Sequence, residues 1–273
     1  MTVELHADDN IVQLMSILFK ERFGCPAEFV GRAPGRVNLI GEHIDYCGFA
    51  VFPMALEGKY TTVLCKLTET GKIRCRNVNK EKFPDEDVPS IDPNAKLAAK
   101  LTWAQYVEAS VKQYCLDAKY TIKGIDILVF GTVPDASGLS SSAALLCAVA
   151  IALDTIRGGT PSDKQLLVHA TVEAEHRVGM NCGGMDQSIS IYGKKGYACV
   201  IGFCPPSVKE VKLPPAHFVV AHSHVRAAKV EGNDTNCYNH RVKEVKRAAE
   251  LMKPGCNTIG EVVKAEGWDK ALE

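Results

Sequence analysis

Gly131-Thr-Val-Pro134-Asp-Ala-Ser-Gly138-Leu-Ser140-Ser141-Ser142-Ala-Ala connects an apolar run at 124–130 (GIDILVF) to a second one at 143–154. The first run has the length and β-branched content of a strand, the second the length of a buried helix. The order is therefore strand, loop, helix. Pro134 and Gly138 punctuate the loop, and Gly138 permits a backbone path closed to other residues. The unpaired N–H groups of the helix start, its dipole and three hydroxyls together make a phosphate cradle. One such hydroxyl also suits Mg²⁺. The stretch has no GKS or GKT and no GxGxxG, so it is neither a Walker A loop nor a Rossmann turn. A Ser-rich helix cap with a tight turn remains the plain alternative, although a cap needs only one of the three serines.

Two further stretches carry chemistry. Arg32-Ala-Pro34-Gly35-Arg36-Val-Asn38-Leu-Ile-Gly41-Glu42-His43-Ile-Asp45-Tyr46 places two arginines, a Glu, a His and an Asp close together. Carboxylates and imidazole suit sugar hydroxyls, which both donate and accept. Arginine suits a phosphoryl group or a carboxylate. A structural ion-pair cluster is the alternative. Glu42, His43 and Asp45 are nearly adjacent with no second imidazole close by, which speaks against a transition-metal site. Glu173-Ala-Glu175-His176-Arg177-Val-Gly179-Met-Asn-Cys182-Gly183-Gly184-Met185-Asp186-Gln187 sets one acid at a helix end and another after a glycine turn. One such acid can bind Mg²⁺ while the other acts on a hydroxyl. A glycine-rich connection capped by Asp186 is the alternative. His176 reads as structural, Cys182 as an ordinary thiol, and His222 with His224 as local packing.

The bulk numbers fit a globular chain. The 273 residues are 46% hydrophobic and 23% charged, with 32 Lys plus Arg against 32 Asp plus Glu. Zero net charge gives no reason to expect nucleic acid or an anionic membrane as partner. The 11 cysteines lie scattered with no CxxC pair. They read as free thiols of a reducing compartment, so a cytoplasmic setting is expected. The start has no signal-peptide pattern, and the longest apolar run, 143–153, is too short to span a bilayer. Asn233-Asp234-Thr235 fits a glycosylation sequon without meaning in such a compartment.

Helical periodicity is expected over 11–19 after Asp8 and Asn10, at 101–116, from 161 to about 177, and at 239–252. Thr160 would cap the third of these, with Pro161 at its first position and Asp163 closing the box. Strands are expected at 28–32, 50–65, 124–130 and 215–221. Residues 72–76 are expected to pair with 60–65 as a hairpin across Glu69-Thr70-Gly71. The Pro- and Asp-rich 79–96 reads as a loop. Irregular interleaving of strands and helices points to a mixed α+β layer without a linker through the first 220 residues.

Together the three motifs resemble one family. RAPGRVNLIGEHIDY resembles the galactokinase signature, and GTVPDASGLSSSAAL is similar to the phosphate loop of the kinases of galactose, homoserine, mevalonate and phosphomevalonate. GMNCGGMDQSIS resembles the acid-bearing third segment of the galactokinase branch. GEHIDYCGFAVFPMAL and GGMDQS look closer to the eukaryotic N-acetylgalactosamine kinase-like branch. The resemblance covers about residues 8–250.

It implies an ATP-dependent sugar-1-kinase acting by direct transfer on galactose or N-acetylgalactosamine, with Mg²⁺. The roles it implies are these. Arg36 stabilises the transferring phosphoryl group or assists the sugar hydroxyl, and Asp186 is the base or positioning carboxylate. Glu42, His43, Asp45, Gly183 and Tyr238 hold the sugar, with Arg241 following at the family interval. Gly138, Ser140, Ser141 and Ser142 surround the phosphates, and Ser142 with Glu175 serves the metal. The implied fold is the GHMP-type N-terminal domain at 8–222, with a left-handed βαβ unit. An incomplete ferredoxin-like second domain would begin at 223–273. The family's late glycine-rich motif, of the type GAGWGGC, is absent. Asp135 puts a negative charge beside the phosphate loop, and 230–237 is slightly longer than the usual approach to the aromatic residue. The alternative is an inactive descendant that binds sugar or nucleotide and regulates. Self-association through a face left uncovered by the second domain is also expected.

Overall fold

The computed structural model describes residues 10–97, 101–158, 163–221, 223 and 238–272. In chain order its elements are α1 (Asn10–Phe23), β1 (Phe29–Asn38), β2 (Pro53–Leu67), β3 (Ile73–Asn77), β4 (Glu86–Val88), α2 (Trp103–Asp117), β5 (Ile125–Gly131), α3 (Ser141–Ile156), α4 (Lys164–Arg177), α5 (Met185–Tyr192), β6 (Tyr197–Phe203), β7 (Pro206–Lys212), α6 (Tyr238–Met252), α7 (Ile259–Glu266) and α8 (Trp268–Leu272). The mixed α+β layer expected from the sequence is present. No helix among the described residues is long and apolar enough to cross a membrane.

The first five strands form one sheet in the order β1-β2-β5-β3-β4. Only the β3–β5 pair is parallel. Period-two alternation sorts the side chains onto two faces. Ala33, Val63, Cys65, Ile73, Cys75, Ile125, Ile127 and Val129 meet the helical layer of α2, α3 and α4. Val30, Leu64 and Leu128 point the other way and are covered by Val12, Met15 and Phe19 of α1. A small β6–β7 hairpin packs with α5 around Val51, Met185, Ile189, Cys199 and Ile201.

Helix α3 is apolar nearly all round because it is enclosed nearly all round. It lies on β1 at a distance that only glycine allows. A Cβ on Gly31 would stand 2.0 Å from the Ala148 carbonyl oxygen and 2.7 Å from the Ala152 amide nitrogen. Polar groups inside this layer are paired: Tyr114 donates to Asp154 at 2.6 Å, and Lys112 meets Glu108 at 2.7 Å.

Several expectations are corrected. Residues 72–76 do not pair with β2, because β5 inserts between β2 and β3. The expected strand at 215–221 is irregular backbone, with Val219 91% exposed and no strand paired with it among the described residues. The loop at 79–96 contains the short edge strand β4, and β6 and β7 were not anticipated. Asp163 is itself the cap of α4, accepting from the Leu166 amide at 2.9 Å, and is not the closing residue of a box. Asp8, Thr160, Pro161, His222, His224 and Asn233 lie outside the described residues.

Replacing Gly31 with Ala should force α3 off the sheet and destabilise the chain by about 1–3 kcal/mol. Urea unfolding checks this: the midpoint should fall with the slope unchanged.

Candidate active site

The glycine-serine loop, expected to hold phosphates, leaves β5 and enters α3 through Ser140, whose backbone sits in the left-handed region at φ 59°. That bend turns the helix start, with its free amides, toward the loop. The Ser140 hydroxyl makes no capping bond and is buried without a hydrogen-bond partner among the described residues. Ser141 and Ser142 open the helix, half-buried, and Gly138 is exposed on the loop. The Ser142 hydroxyl donates to Glu175 Oε1 of α4 at 2.7 Å. Gln187 Nε2 donates to the other carboxylate oxygen. Glu175 is 2% exposed, so these two bonds satisfy both oxygens of a carboxyl buried within the helical layer.

β1 delivers Arg36. A bulge between Pro34 and Arg36 breaks the β1–β2 register, and the Arg36 amide leaves the ladder to donate to the Leu139 carbonyl at 3.1 Å. The side chain then spans the site. Its Nε donates to Asp186 Oδ1 at 2.7 Å and its Nη1 to the Gly138 carbonyl at 2.6 Å. Asp186 lies in the first turn of α5, where the helix dipole favours an acid. Residues 150 positions apart are thus joined by a charge-assisted bond, with both side chains 11% exposed.

The 41–50 turn supplies the second wall. Asp45 is 7% exposed and accepts from the Met185 amide at 3.4 Å. Burial, then the nearby Asp186 carboxylate, push the Asp45 acid above its usual range, against the Tyr46 and Met185 amides and Arg36. Gly183 lies against this turn so closely that a Cβ there would stand 2.3 Å from the Tyr46 nitrogen. His43, at φ 61°, puts Nδ1 2.8 Å from the Tyr46 hydroxyl. Its ring centroid is 5.3 Å from that of Tyr238, which is also 5.3 Å from the Tyr46 ring. Burial pushes the Tyr46 phenol up to about 12 and the Tyr238 phenol well up, so both stay neutral and able to donate. Glu42 is exposed. Arg241 turns to Glu244 at 2.8 Å.

His176 and Cys182, read as bystanders from sequence, make local contacts. His176 Nε2 lies 3.0 Å from the Cys182 carbonyl. Burial holds the Cys182 thiol well above its usual value, so it is not an activated nucleophile. No group of three or more His, Cys, Asp or Glu able to hold a metal occurs among the described residues.

Sequence reasoning missed a cavity of about 910 Å³ beside the phosphate loop. Phe83, Trp103, Tyr106 and Leu145 give it apolar walls, while Thr132 to Ala136 and Ser141 form its loop side. Lys82 also lines it and ion-pairs with Asp135, offsetting the negative charge that Asp135 sets beside the loop. No motif marks these residues. Only the fold brings 77–83, 101–106 and 129–145 together.

Because Asp45 has a raised folded-state pKa, its linkage runs opposite to the usual carboxylate. It destabilises the chain as pH rises through that pKa, and the penalty vanishes below the unfolded value of 3.8. Asp45→Asn should therefore raise the urea midpoint at neutral pH, with the gain shrinking as pH falls toward the ordinary carboxylate range.

Residues 17–66 match the galactokinase galactose-binding signature, and residues 105–194 match the GHMP kinases N-terminal domain. Galactokinase of Schizosaccharomyces pombe is 35% identical over 256 residues, which are 86% of this chain and 48% of that protein. Galactokinase of Chloroflexus aurantiacus is 34% identical over 256 residues, covering 93% of this chain and 63% of its own length. The crystal structure of Lactococcus lactis galactokinase complexed with galactose superposes with a TM-score of 0.71 at 27% identity, over 92% of this chain and 64% of that one. Mevalonate kinase of Methanococcus jannaschii, at 18% identity and a TM-score of 0.56 over 68% of this chain and 56% of its own, shares the fold. The chain spans about half the length of the curated relatives it matches first. With the sugar signature lying over the Arg36–Asp45 wall and the kinase domain over the phosphate loop and both acids, the chain belongs to the galactokinase family of GHMP kinases.

Proposed function

We propose that this chain carries the ATP- and sugar-binding machinery of a sugar-1-kinase acting on galactose or N-acetylgalactosamine. The observation that carries the reading is Arg36, which bonds the Asp186 carboxylate at 2.7 Å and the phosphate-loop carbonyl of Gly138 at 2.6 Å. A single guanidinium thus stands between the acid and the phosphates, where a transferring phosphoryl group would pass.

The cavity of about 910 Å³ suits the nucleotide, with its purine among Phe83, Trp103 and Tyr106. Its triphosphate would run along Gly138, Ser140 and Ser141 to the α3 N-terminus, and the buried, unpartnered Ser140 hydroxyl is a donor suited to a phosphate oxygen. Ser142 and Glu175 present two hard oxygens 2.7 Å apart, which fits Mg²⁺, an ion bound by one or two protein oxygens with phosphates and water. The ion would neutralise charge on the phosphates.

The sugar would lie between Asp45, His43, Tyr238 and the backbone at Gly183, with Glu42 reaching over from the exposed side of its turn. Asp186 would orient the anomeric hydroxyl and accept its proton as that oxygen bonds to the γ-phosphorus. The bond from that phosphorus to the β–γ bridging oxygen breaks, and ADP carries the electron pair away. Arg36 would stabilise the charge on the phosphoryl group in flight.

ADP release by the purified chain with Mg-ATP should depend on added galactose or N-acetylgalactosamine, and the ratio of the two rates ranks the substrates. Asp186→Ala should lower the sugar-dependent rate by at least about 10²-fold. A folded chain that releases no ADP with either sugar overturns the reading that it acts as a kinase by itself.

A further inference from the structure

Asn239, the second residue of α6, belongs to none of the three motifs. Its side-chain amide nevertheless grips the glycine turn between α4 and α5. Nδ2 donates to the Gly179 carbonyl at 2.6 Å, and Oδ1 accepts from the Asn181 amide at 3.0 Å. One planar amide making both bonds fixes distance and orientation together, as a single bond would not. The turn it grips leads from Glu175 to Asp186. The residue before it is Tyr238, whose ring rests against His43 and Tyr46.

Both bonds lie at the exposed edge of the site. Water can replace each of them, so their net contribution to folding is small. What water cannot replace is the spacing. Gly183 already presses the far end of the same turn onto the Asp45–Tyr46 backbone. Asn239 holds its near end to α6, so the sugar-facing aromatic and the acid-bearing turn are fixed at two points.

We propose that Asn239 is a positioning residue for the sugar site, tying Tyr238 to the glycine turn so that the aromatic wall and Asp186 keep one separation around the sugar hydroxyls. The inference rests on the sugar-kinase reading and deepens it. In that reading Asn239 acts through Tyr238 and the glycine turn, its side chain being engaged with Gly179 and Asn181.

The test is calorimetric binding of galactose to the full chain, with a non-hydrolysable ATP analogue titrated separately, for wild type, Asn239→Ala and Asn239→Asp. The aspartate keeps the acceptor for Asn181 and loses the donor to Gly179. The expected result is galactose affinity weakened about tenfold in N239A and by an intermediate factor in N239D, with nucleotide affinity unchanged. Melting temperatures should shift little. Equal galactose affinity in wild type and folded N239A overturns the proposal. So does parallel weakening of galactose and nucleotide binding, which marks a merely structural residue. Should N239A fail to fold, N239D alone decides, by the same split between the two ligands. A wild-type chain that binds the nucleotide analogue but no galactose overturns the sugar reading itself, and the proposal with it.

Discussion

Everything at the site hangs on how closely α3 lies on β1. Gly31 has no Cβ, so the backbone of α3 around Ala148 and Ala152 settles directly onto the strand. The helix is then held from below by β1 and β2 and from the sides by α2, α4 and α5. Its N-terminus, with the free amides and the three serines, is fixed relative to the strand that carries Arg36 five residues further on. A helix end with unpaired amides and a cationic side chain are thereby set on one rigid unit, the arrangement that electrostatic preorganisation requires.

The site keeps its acids where burial opposes their charge, and answers each in a different way. Glu175 is satisfied by Ser142 and Gln187. Asp186 is matched by Arg36. Asp45 has only backbone donors and a shared guanidinium, so its acid is pushed up. Of the three acids, Asp45 is the one whose charge its surroundings satisfy least. Stability is sacrificed locally there, while the alternating apolar faces of the five-stranded sheet carry the fold.

The three motifs were legible because each is a local run of residue types with one chemistry, and α3 was legible because no amphipathic pattern interrupts its apolar run. β2 and β5 showed through their β-branched content. What failed was whatever depended on partners. Phe218, Val219 and Val220 have strand propensity, but no strand among the described residues pairs with them, and propensity without a pairing partner gives no strand. β4 has three residues, too few for any period to register. The cavity residues Lys82, Trp103 and Tyr106, and the Asn239 grip on Gly179, are assembled from segments far apart in the chain. No spacing rule could have gathered them.

The place of β5 bears on how the chain reaches this structure. β2 and β3 follow each other directly, yet they flank a strand that begins only at Ile125. Until that segment arrives, Val63, Leu64 and Cys65 on one side and Ile73 and Cys75 on the other expose edges with no partner between them. The nearest competing arrangement is the short-range hairpin that their neighbourhood in sequence invites. Folding must avoid or undo that pairing and close a long loop before the central strand can zip both ladders, which makes the sheet a late, non-local event. During synthesis the two waiting strands are the segments most in need of protection from other chains.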